Sequence, residues 1–291
     1  MVQLIFRLIA ALPLGAVQRI GAVMGCLVYW FSADYRRRLR DNLAAAGYHD
    51  RRLIASAARE AGKQAMETPW MFLRPRSESA ATAALIDPET FNAALADGRP
   101  VLFLTPHLGC FEVFAQFYAA TRPDAAQRPM TVLYRVPRKS ILRSMAERGR
   151  AAEGLVLAPA EMRGVKMMIK AMRQRQVVGI LPDQVPLHGE GAWAPFFGRE
   201  AYTMTLPARL AFQFDAIVLF FYCERRAQGA GYRIHLRRLE RKFTGVARTD
   251  ATIINAELEA LIRTCPHQYL WAYNRYKVPP GVEPPAAKGP A

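Results

Sequence analysis

The stretch at residues 101–118, VLFLTPHLGCFEVFAQFY, constrains the fold more than any other part of the chain. Its first four residues form a short apolar run with the length of a buried strand. A threonine–proline pair ends that run, because proline lacks a ladder donor and holds the residue before it in extended geometry. A turn with Gly109 follows, and then an apolar segment from about Cys110 to Tyr118 that is predicted to be helical. A buried strand that passes through a tight turn into a helix is typical of an α/β fold.

The turn in this stretch contains a candidate catalytic pair, because His107 is followed five residues later by Glu112. On one continuous helix that spacing would rotate the two side chains ~140° apart. They can meet if the histidine lies in the turn and the glutamate in the first helical turn, where the carboxylate would orient the imidazole. A lone histidine near an acid is more often structural than catalytic. Its position favours catalysis here, because open α/β sheets hold ligands at the carboxyl ends of their strands.

From residue 77 onward the chain alternates short apolar runs with helical segments. Strands are predicted at 101–104, 130–134, 155–157, 177–181, 217–223 and 233–239, and helices at 88–97, 110–118, 138–151, 161–174, 203–214 and 250–264. Residues 185–200, with the aromatic side chains Trp193, Phe196 and Phe197, are interpreted as a loop. This order predicts a mixed, mostly parallel sheet flanked by helices. Since His107, Arg135 and Asp183 each follow a predicted strand, we expect them to converge on one crevice.

The first 31 residues are apolar but interrupted, since Leu4–Val17 contains Arg7 and Pro13, whereas Ile20–Phe31 carries no charge. A membrane-spanning helix needs ~20 mostly apolar residues, and an arginine near its centre is unfavourable. The segment is therefore a poor spanning helix, a pair of helices in the membrane interface, or a buried helix pair. The basic run YRRRLR at residues 35–40 predicts a cytoplasmic, anionic membrane surface next to this arm.

Breaks in the pattern divide the chain into three parts. A helical membrane-anchoring arm covers residues 1–75, an α/β domain covers 76–278, and a Pro/Ala-rich tail at 279–291 is predicted to be disordered. The net charge is +16, and 52% of the residues are hydrophobic. Such charge suits an anionic membrane as well as nucleic acid, and a nucleic-acid binder need not be this apolar. The scattered cysteines and histidines form no zinc or disulfide pattern, which indicates a reducing compartment.

Further motifs follow one another along nearly the whole chain and add specificity to the His107–Glu112 pair. They are YRRRLRDNL at 35–43, Tyr134-Arg135, Met162-Arg163-Gly164 with Lys166, Pro182-Asp183-Gln184, Pro195-Phe196-Phe197-Gly198, and Gln268-Tyr269-Leu270-Trp271 with Arg275 and Lys277. In this order, after an apolar N-terminus, the chain resembles the late (secondary) acyltransferases of lipid A biosynthesis, the lauroyl/myristoyl transferases of Gram-negative bacteria. One departure is His267, which stands where the family pattern has an acidic residue.

The resemblance implies a glycerophosphate-acyltransferase-like fold and an enzyme at the cytoplasmic face of the inner membrane. Such an enzyme transfers a fatty acyl group from acyl carrier protein to a hydroxyl on an acyl chain of a lipid A precursor, and it needs no cofactor. His107 would be the general base, oriented by Glu112, and backbone N–H groups at the start of the following helix would stabilise the thioester oxyanion. The implied substrate- or carrier-binding residues are Arg135, Arg163, Lys166, Asp183 and Gln184.

Three alternatives remain at this point. Cys110 lies near a helix start, which lowers a thiol pKa, so it could form a covalent acyl intermediate. A glycolipid acyltransferase that uses acyl-CoA, such as a phosphatidylinositol mannoside acyltransferase, would carry similar motifs. A non-enzymatic basic binder of membrane or nucleic acid would explain the charge, but not the ordered polar residues at strand ends.

Overall fold

The N-terminal helices surround a break at Pro13. The computed structural model describes residues 2–134 and 153–285 of the chain, with side chains from residue 6 onward. The first four helices are α1 (Val2–Ala11), α2 (Leu14–Phe31), α3 (Ala33–Ala45) and α4 (Arg51–Leu73). Because proline lacks the amide that would continue α1, the apolar N-terminus forms two helices and not one continuous span.

A seven-stranded sheet follows, and its helices cover both faces. The remaining elements are α5 (Arg76–Ala81), β1 (Ala83–Leu85), α6 (Pro88–Ala96), β2 (Val101–Leu104), α7 (Glu112–Thr121), β3 (Met130–Tyr134), β4 (Leu155–Pro159), α8 (Met162–Arg173), β5 (Val177–Ile180), β6 (Gly191–Phe196), β7 (Arg199–Met204), α9 (Leu206–Phe214), β8 (Ile217–Arg225), β9 (Tyr232–Arg238) and α10 (Ala247–Thr264). The strand order is β1-β9-β8-β2-β5-β3-β4. Only the β8–β9 pair is antiparallel among these neighbours, so the predicted mixed, mostly parallel sheet is confirmed.

The central strand β2 shows why the sheet is buried on both faces. Leu102 and Leu104 belong to one apolar cluster, which includes side chains of α8, α9 and α10. Val101 and Phe103 belong to a second cluster on the opposite face, with side chains of α6 and α7. Successive strand residues point to opposite faces, so a strand covered on both sides has no polar position. The run VLFL is therefore apolar throughout.

The prediction of a loop at residues 185–200 is wrong in its second half. β6 and β7 form an antiparallel hairpin in which Phe196 pairs with Arg199. Its two turn residues, Phe197 and Gly198, have φ values of 46° and 74°, as a two-residue hairpin turn with positive φ requires. The helix predicted from residue 203 begins later, at Leu206, because the preceding residues belong to β7. The basic helix predicted at 138–151 lies outside the described residues.

Helix α2 lies in backbone contact with α4. A Cβ atom on Gly62 of α4 would lie 2.0 Å from the carbonyl oxygen of Gly21, and one on Gly25 would lie 2.1 Å from that of Ala58. Glycines at these positions are therefore required for the two backbones to approach this closely. The opposite face of α2 is exposed, with Val23 and Trp30 among its apolar side chains. The arm thus combines a buried helix pair with an exposed apolar face.

A buried ion cluster attaches this helix pair to the sheet. Arg225, at the end of β8, is within 2.7 Å of Glu60 and 2.6 Å of Glu67, both on α4. Glu67 also accepts a hydrogen bond of 2.8 Å from Gln18 on α2. Burial alone would lower the pKa of Arg225, but the two carboxylates hold it well above its ordinary value. A buried charge without its partner is strongly destabilising, so this cluster fixes α2 and α4 to the sheet.

Replacing Arg225 tests that attachment. Arg225→Met should lower the free energy of unfolding by ~3–5 kcal/mol, because Glu60 and Glu67 would remain buried without a cation. The matched control is Arg226→Met at the neighbouring exposed arginine, which should change it by no more than ~0.5 kcal/mol. Denaturant titration measures both values. Equal losses in the two variants would contradict the role of the cluster.

Candidate active site

The register of two neighbouring strands brings His107 and Asp183 together. β2 and β5 are parallel and paired, with Leu104 opposite Ile180. Each strand then continues through one residue and a proline, in Thr105-Pro106-His107 and Leu181-Pro182-Asp183. Because both strands end with the same pattern at the same level, the histidine and the aspartate emerge side by side at the carboxyl edge of the sheet.

Asp183 holds His107 at two points. Its Oδ1 lies 2.7 Å from Nδ1 of the imidazole, and its Oδ2 accepts a 2.8 Å hydrogen bond from the backbone N–H of His107. Burial raises the pKa of the Asp183 carboxyl, but the contacts with His107 and the charge of Arg275 outweigh that effect and lower it below its ordinary value. An ionised Asp183 requires a proton on Nδ1, which leaves Nε2 as the basic nitrogen.

The Nε2 atom faces an amide. The side-chain nitrogen of Gln184 lies 3.2 Å from Nε2, so it can donate to the unprotonated ring nitrogen. The Phe111 ring packs edge-on against the imidazole, with centroids 4.8 Å apart. The imidazole is therefore held on several sides in the tautomer of a general base.

The C-terminal segment, which follows α10, holds the turn that carries His107 through backbone hydrogen bonds. The backbone N–H of Leu270 donates to the carbonyl of His107 at 3.1 Å, and that of Gly109 donates to the carbonyl of Gln268 at 3.2 Å. Gly109 has a φ of 64°, and a Cβ atom there would lie 1.9 Å from the carbonyl oxygen of Cys223. The Gln268–Trp271 motif thus has a structural role that its sequence does not reveal, because its backbone holds the turn that carries His107.

A cavity of about 320 Å³ opens beside His107, between α7 and the sheet. Polar side chains line it near the carboxyl ends of the strands, namely His107, Glu112, Gln184 and Glu190. Further along, its lining is apolar and includes Phe103, Phe114, Met130 and Phe221, together with Gly179 of β5. This shape and lining suit an apolar chain with one polar, reactive end.

A second cavity of about 440 Å³ borders His107 on the side of α4. Residues from α3, α4 and the C-terminal segment line it, and they include Tyr35, Gln64 and Tyr273. His107, Phe111 and Gln184 line both cavities. The imidazole therefore lies at the junction of two separate binding spaces, which an enzyme that joins two substrates requires.

A family model of bacterial lipid A biosynthesis acyltransferases matches residues 1–278. The chain belongs to this family. It is 25% identical over 280 residues to the lipid A biosynthesis lauroyltransferase of Escherichia coli (strain K12), covering 94% of this chain and 89% of that protein. It is also 24% identical over 234 residues to the lipid A biosynthesis palmitoleoyltransferase of the same organism, covering 79% of this chain and 72% of that protein. The resemblance inferred from the motifs is confirmed, and the protein is an acyltransferase.

The other residues expected at the site of this acyltransferase lie in different parts of the fold. Glu112 is the first residue of α7 and lines the first cavity. We expected Glu112 to orient the imidazole, whereas the contact to Nδ1 comes from Asp183. Arg163 and Lys166 are exposed on α8, which follows the edge strand β4. Arg135 lies outside the described residues, one position after Tyr134, which lines the first cavity.

The backbone N–H groups at the start of α7 differ in whether they already donate a hydrogen bond within the protein. The N–H of Cys110 donates to the carbonyl of Cys223 at 2.9 Å, and that of Val113 donates to the carbonyl of Cys110 at 3.1 Å. The N–H of Phe111 has no hydrogen-bond partner within residues 2–134 and 153–285. The Phe111 amide is therefore a candidate oxyanion donor, and Phe111 lines both cavities.

Cys110 is poorly placed for the covalent alternative. Its side chain is buried and lines neither cavity. Burial, followed by the charge of Glu67, raises the pKa of the Cys110 thiol well above its ordinary value. A thiolate is the reactive form of cysteine, so these surroundings suppress nucleophilic attack by Cys110.

Asp183→Asn tests how the imidazole is held. The backbone N–H of His107 can only donate, so it should retain the asparagine oxygen and turn the asparagine NH₂ toward Nδ1. The proton would then shift to Nε2, and kcat should fall by ~10²–10⁴-fold with little change in KM. Cys110→Ala is the control and should keep most of its activity. Steady-state acyl transfer measures both, and near-normal turnover by Asp183→Asn would rule out the orienting role.

Proposed function

We propose that this acyltransferase moves a fatty acyl group from acyl carrier protein to a hydroxyl on a 3-hydroxyacyl chain of a lipid A precursor. The observation that carries the proposal is the position of His107, whose Nδ1 is bound to Asp183 and whose ring borders two cavities. One of these cavities has an apolar lining beyond the polar residues around His107, as a fatty acyl chain requires. Membership of the lipid A acyltransferase family supports a lipid A precursor as the acceptor.

The reaction proceeds without a protein nucleophile. The acceptor hydroxyl gives its proton to Nε2 of His107 while its oxygen attacks the thioester carbonyl carbon. Asp183 stabilises the imidazolium that forms, and the Phe111 N–H donates to the developing oxyanion. The tetrahedral intermediate then collapses, the carbon–sulfur bond breaks, and the imidazolium returns the proton to the thiolate that leaves. The new ester and the free carrier thiol are the products.

We assign the first cavity to the acyl chain of the donor. It runs from the polar residues around His107 to the aromatic side chains Phe103, Phe114 and Phe221. Each methylene group buried there contributes ~0.8 kcal/mol, so a fatty chain would supply much of the donor's binding energy. Glu112 lies in this cavity beside His107, and we assign it to the donor side of the reaction and not to the orientation of the imidazole.

Basic residues account for the anionic parts of the two substrates. Arg163 and Lys166 are three residues apart and exposed on the first turns of α8, so they share one face. We assign them, with Arg135, to phosphate groups of the acceptor or to the carrier protein. Gln184 contacts Nε2 and lines both cavities, so we assign it to the positioning of the reacting groups.

We place the arm at the cytoplasmic face of the inner membrane. Among the described helices, α2 alone is long and apolar enough to cross a membrane, but one of its faces packs on α4. Its free face ends in Trp30 and Phe31, which are 72% and 85% exposed. Three exposed arginines, Arg37, Arg38 and Arg40, follow on α3. Exposed aromatic residues beside arginines are typical of a surface that contacts anionic headgroups.

His107→Ala tests the proposed reaction. Transfer from acyl carrier protein to a lipid A precursor should fall by ~10²–10⁴-fold, because His107 is the one titratable side chain of the described residues that lines both cavities. His235→Ala is a matched control, since His235 also contacts a carboxylate, Glu224, at 2.8 Å but lines neither cavity. Mass spectrometry of the products measures the rates. Faster transfer from acyl-CoA than from acyl carrier protein would contradict the assignment of the donor.

Substitutions on the exposed face of α2 test the membrane contact. Replacing Trp30 and Phe31 with serine should weaken binding to anionic vesicles, because the contact loses its two aromatic anchors. The matched control is Phe212→Ser at an aromatic residue on α9 that is 57% exposed. Vesicle flotation compares the variants, and equal loss in both would contradict this location of the contact.

Charge variants should test the same surface at two salt concentrations. Changing Arg37, Arg38 and Arg40 to glutamine should weaken the free energy of binding to anionic vesicles by ~1 kcal/mol per charge removed, and by less as the salt concentration rises. Arg36 is left unchanged, because it donates to the carbonyls of Tyr29 and Trp30 at the end of α2. These point variants change only surface charge. Deletion of about the first 32 residues would also remove Gln18 from the buried ion cluster and so disturb the fold.

A further inference from the structure

One buried amide in the second cavity lacks a hydrogen-bond partner. Gln64 of α4 is 8% exposed, and its Oε1 accepts no hydrogen bond within the part of the chain that the structure describes. It lines the same cavity as His107. A buried acceptor without a partner destabilises a fold, and an apolar side chain of the same size would not carry this penalty. The orphaned oxygen therefore points to a ligand with an N–H or O–H donor.

A second buried glutamine, Gln18, serves as a comparison, because its side chain has a structural role and its amide is hydrogen-bonded within the protein. Gln18 of α2 is 4% exposed, and both ends of its amide are bonded. Its nitrogen donates to Glu67 at 2.8 Å, and its oxygen accepts from the backbone N–H of Gly229 at 3.1 Å. Gln18 and Gln64 lie on neighbouring helices, and of these two glutamines only Gln64, which lines the cavity, has an unpaired amide oxygen.

One face of α4 supplies the wall of this cavity. Ala61, Gln64, Ala65 and Thr68 follow the spacing of a single helical face. The two alanines leave room beside the amide, and Leu270 and Ala272 extend the apolar lining from the C-terminal segment. Tyr35 closes another side, and burial raises its pKa to about 12, so its hydroxyl stays neutral. Away from Asp183 and His107, the lining of the cavity is therefore apolar with a few neutral polar groups.

We propose that the second cavity binds the hydroxylated acyl chain of the acceptor, and that Gln64 Oε1 accepts a hydrogen bond from an N–H or O–H beside the reacting hydroxyl. The assignment rests on the proposed function, in which the first cavity holds the donor chain. The acceptor is a lipid, and this cavity is built on the helix that packs against the exposed apolar helix α2. A lipid from the membrane would thus reach His107 from the side opposite to the donor chain.

Gln64→Met separates ligand binding from a structural role. The variant should raise the KM for the acceptor roughly 10-fold and leave the KM for the donor unchanged, because only the acceptor loses a hydrogen bond. Its melting temperature should stay equal or rise, since the substitution removes an unsatisfied buried oxygen. The matched control Gln18→Met should do the reverse, lowering the melting temperature without changing the acceptor KM.

Two cavity-filling variants test which substrate lies on which side. Ala61→Phe narrows the second cavity and should raise the acceptor KM alone, whereas Ala115→Phe narrows the first and should raise the donor KM alone. An unchanged acceptor KM in Gln64→Met, or a donor effect in Ala61→Phe, overturns the proposal. The proposed function fails separately, if the unmodified enzyme transfers no acyl group to a hydroxylated lipid acceptor.

Discussion

The two-point contact between Asp183 and His107 is the interaction on which the site depends, and the register of two strands determines it. Leu104 lies opposite Ile180, and the same short path through a proline leads from each to its functional residue. A shift of one residue would turn alternate side chains of β2 from one apolar cluster to the other, so the buried faces of the sheet specify this register. Packing of the core thereby sets the distance of 2.7 Å between Nδ1 of His107 and Oδ1 of Asp183.

Helix α4 links the core, the arm and the second cavity. One part of its surface, around Gly62, contacts α2, and Glu60 and Glu67 pair with Arg225 at the end of β8. The face with Gln64 lines the cavity beside His107. An α-helix with its side chains is only ~10–12 Å wide. The exposed apolar face of α2 and the cavity assigned to the acceptor are therefore separated by one helix, α4, and the buried ion cluster keeps that helix in place.

Local patterns predicted the strands well and the contacts between distant residues poorly. The bounds of β2 and β3 match the prediction, because each is a short run of mostly apolar residues with a clear end. The β6–β7 hairpin was missed because its turn contains Phe197, a bulky residue that does not normally mark a positive φ. Asp183 was assigned to substrate binding, and Glu112 was preferred as the partner of His107 because it is near in sequence. The observed partner is 76 residues away, and only the order of the strands brings it close.

A histidine beside a carboxylate does not by itself make a catalytic site, as a second pair in this protein shows. His235 lies 2.8 Å from Glu224, which is close to the 2.7 Å between His107 and Asp183. The His235 ring, however, stacks on Tyr222 at 4.5 Å and borders neither cavity. Its carboxylate comes from the adjacent antiparallel strand, where side chains meet along the surface of the sheet. His107 differs because its strand ends at the carboxyl edge, where two cavities open on either side of the imidazole. The position of a His–carboxylate pair in the sheet therefore decides whether its chemistry can be used, and of these two pairs only His107–Asp183 lies beside the cavities.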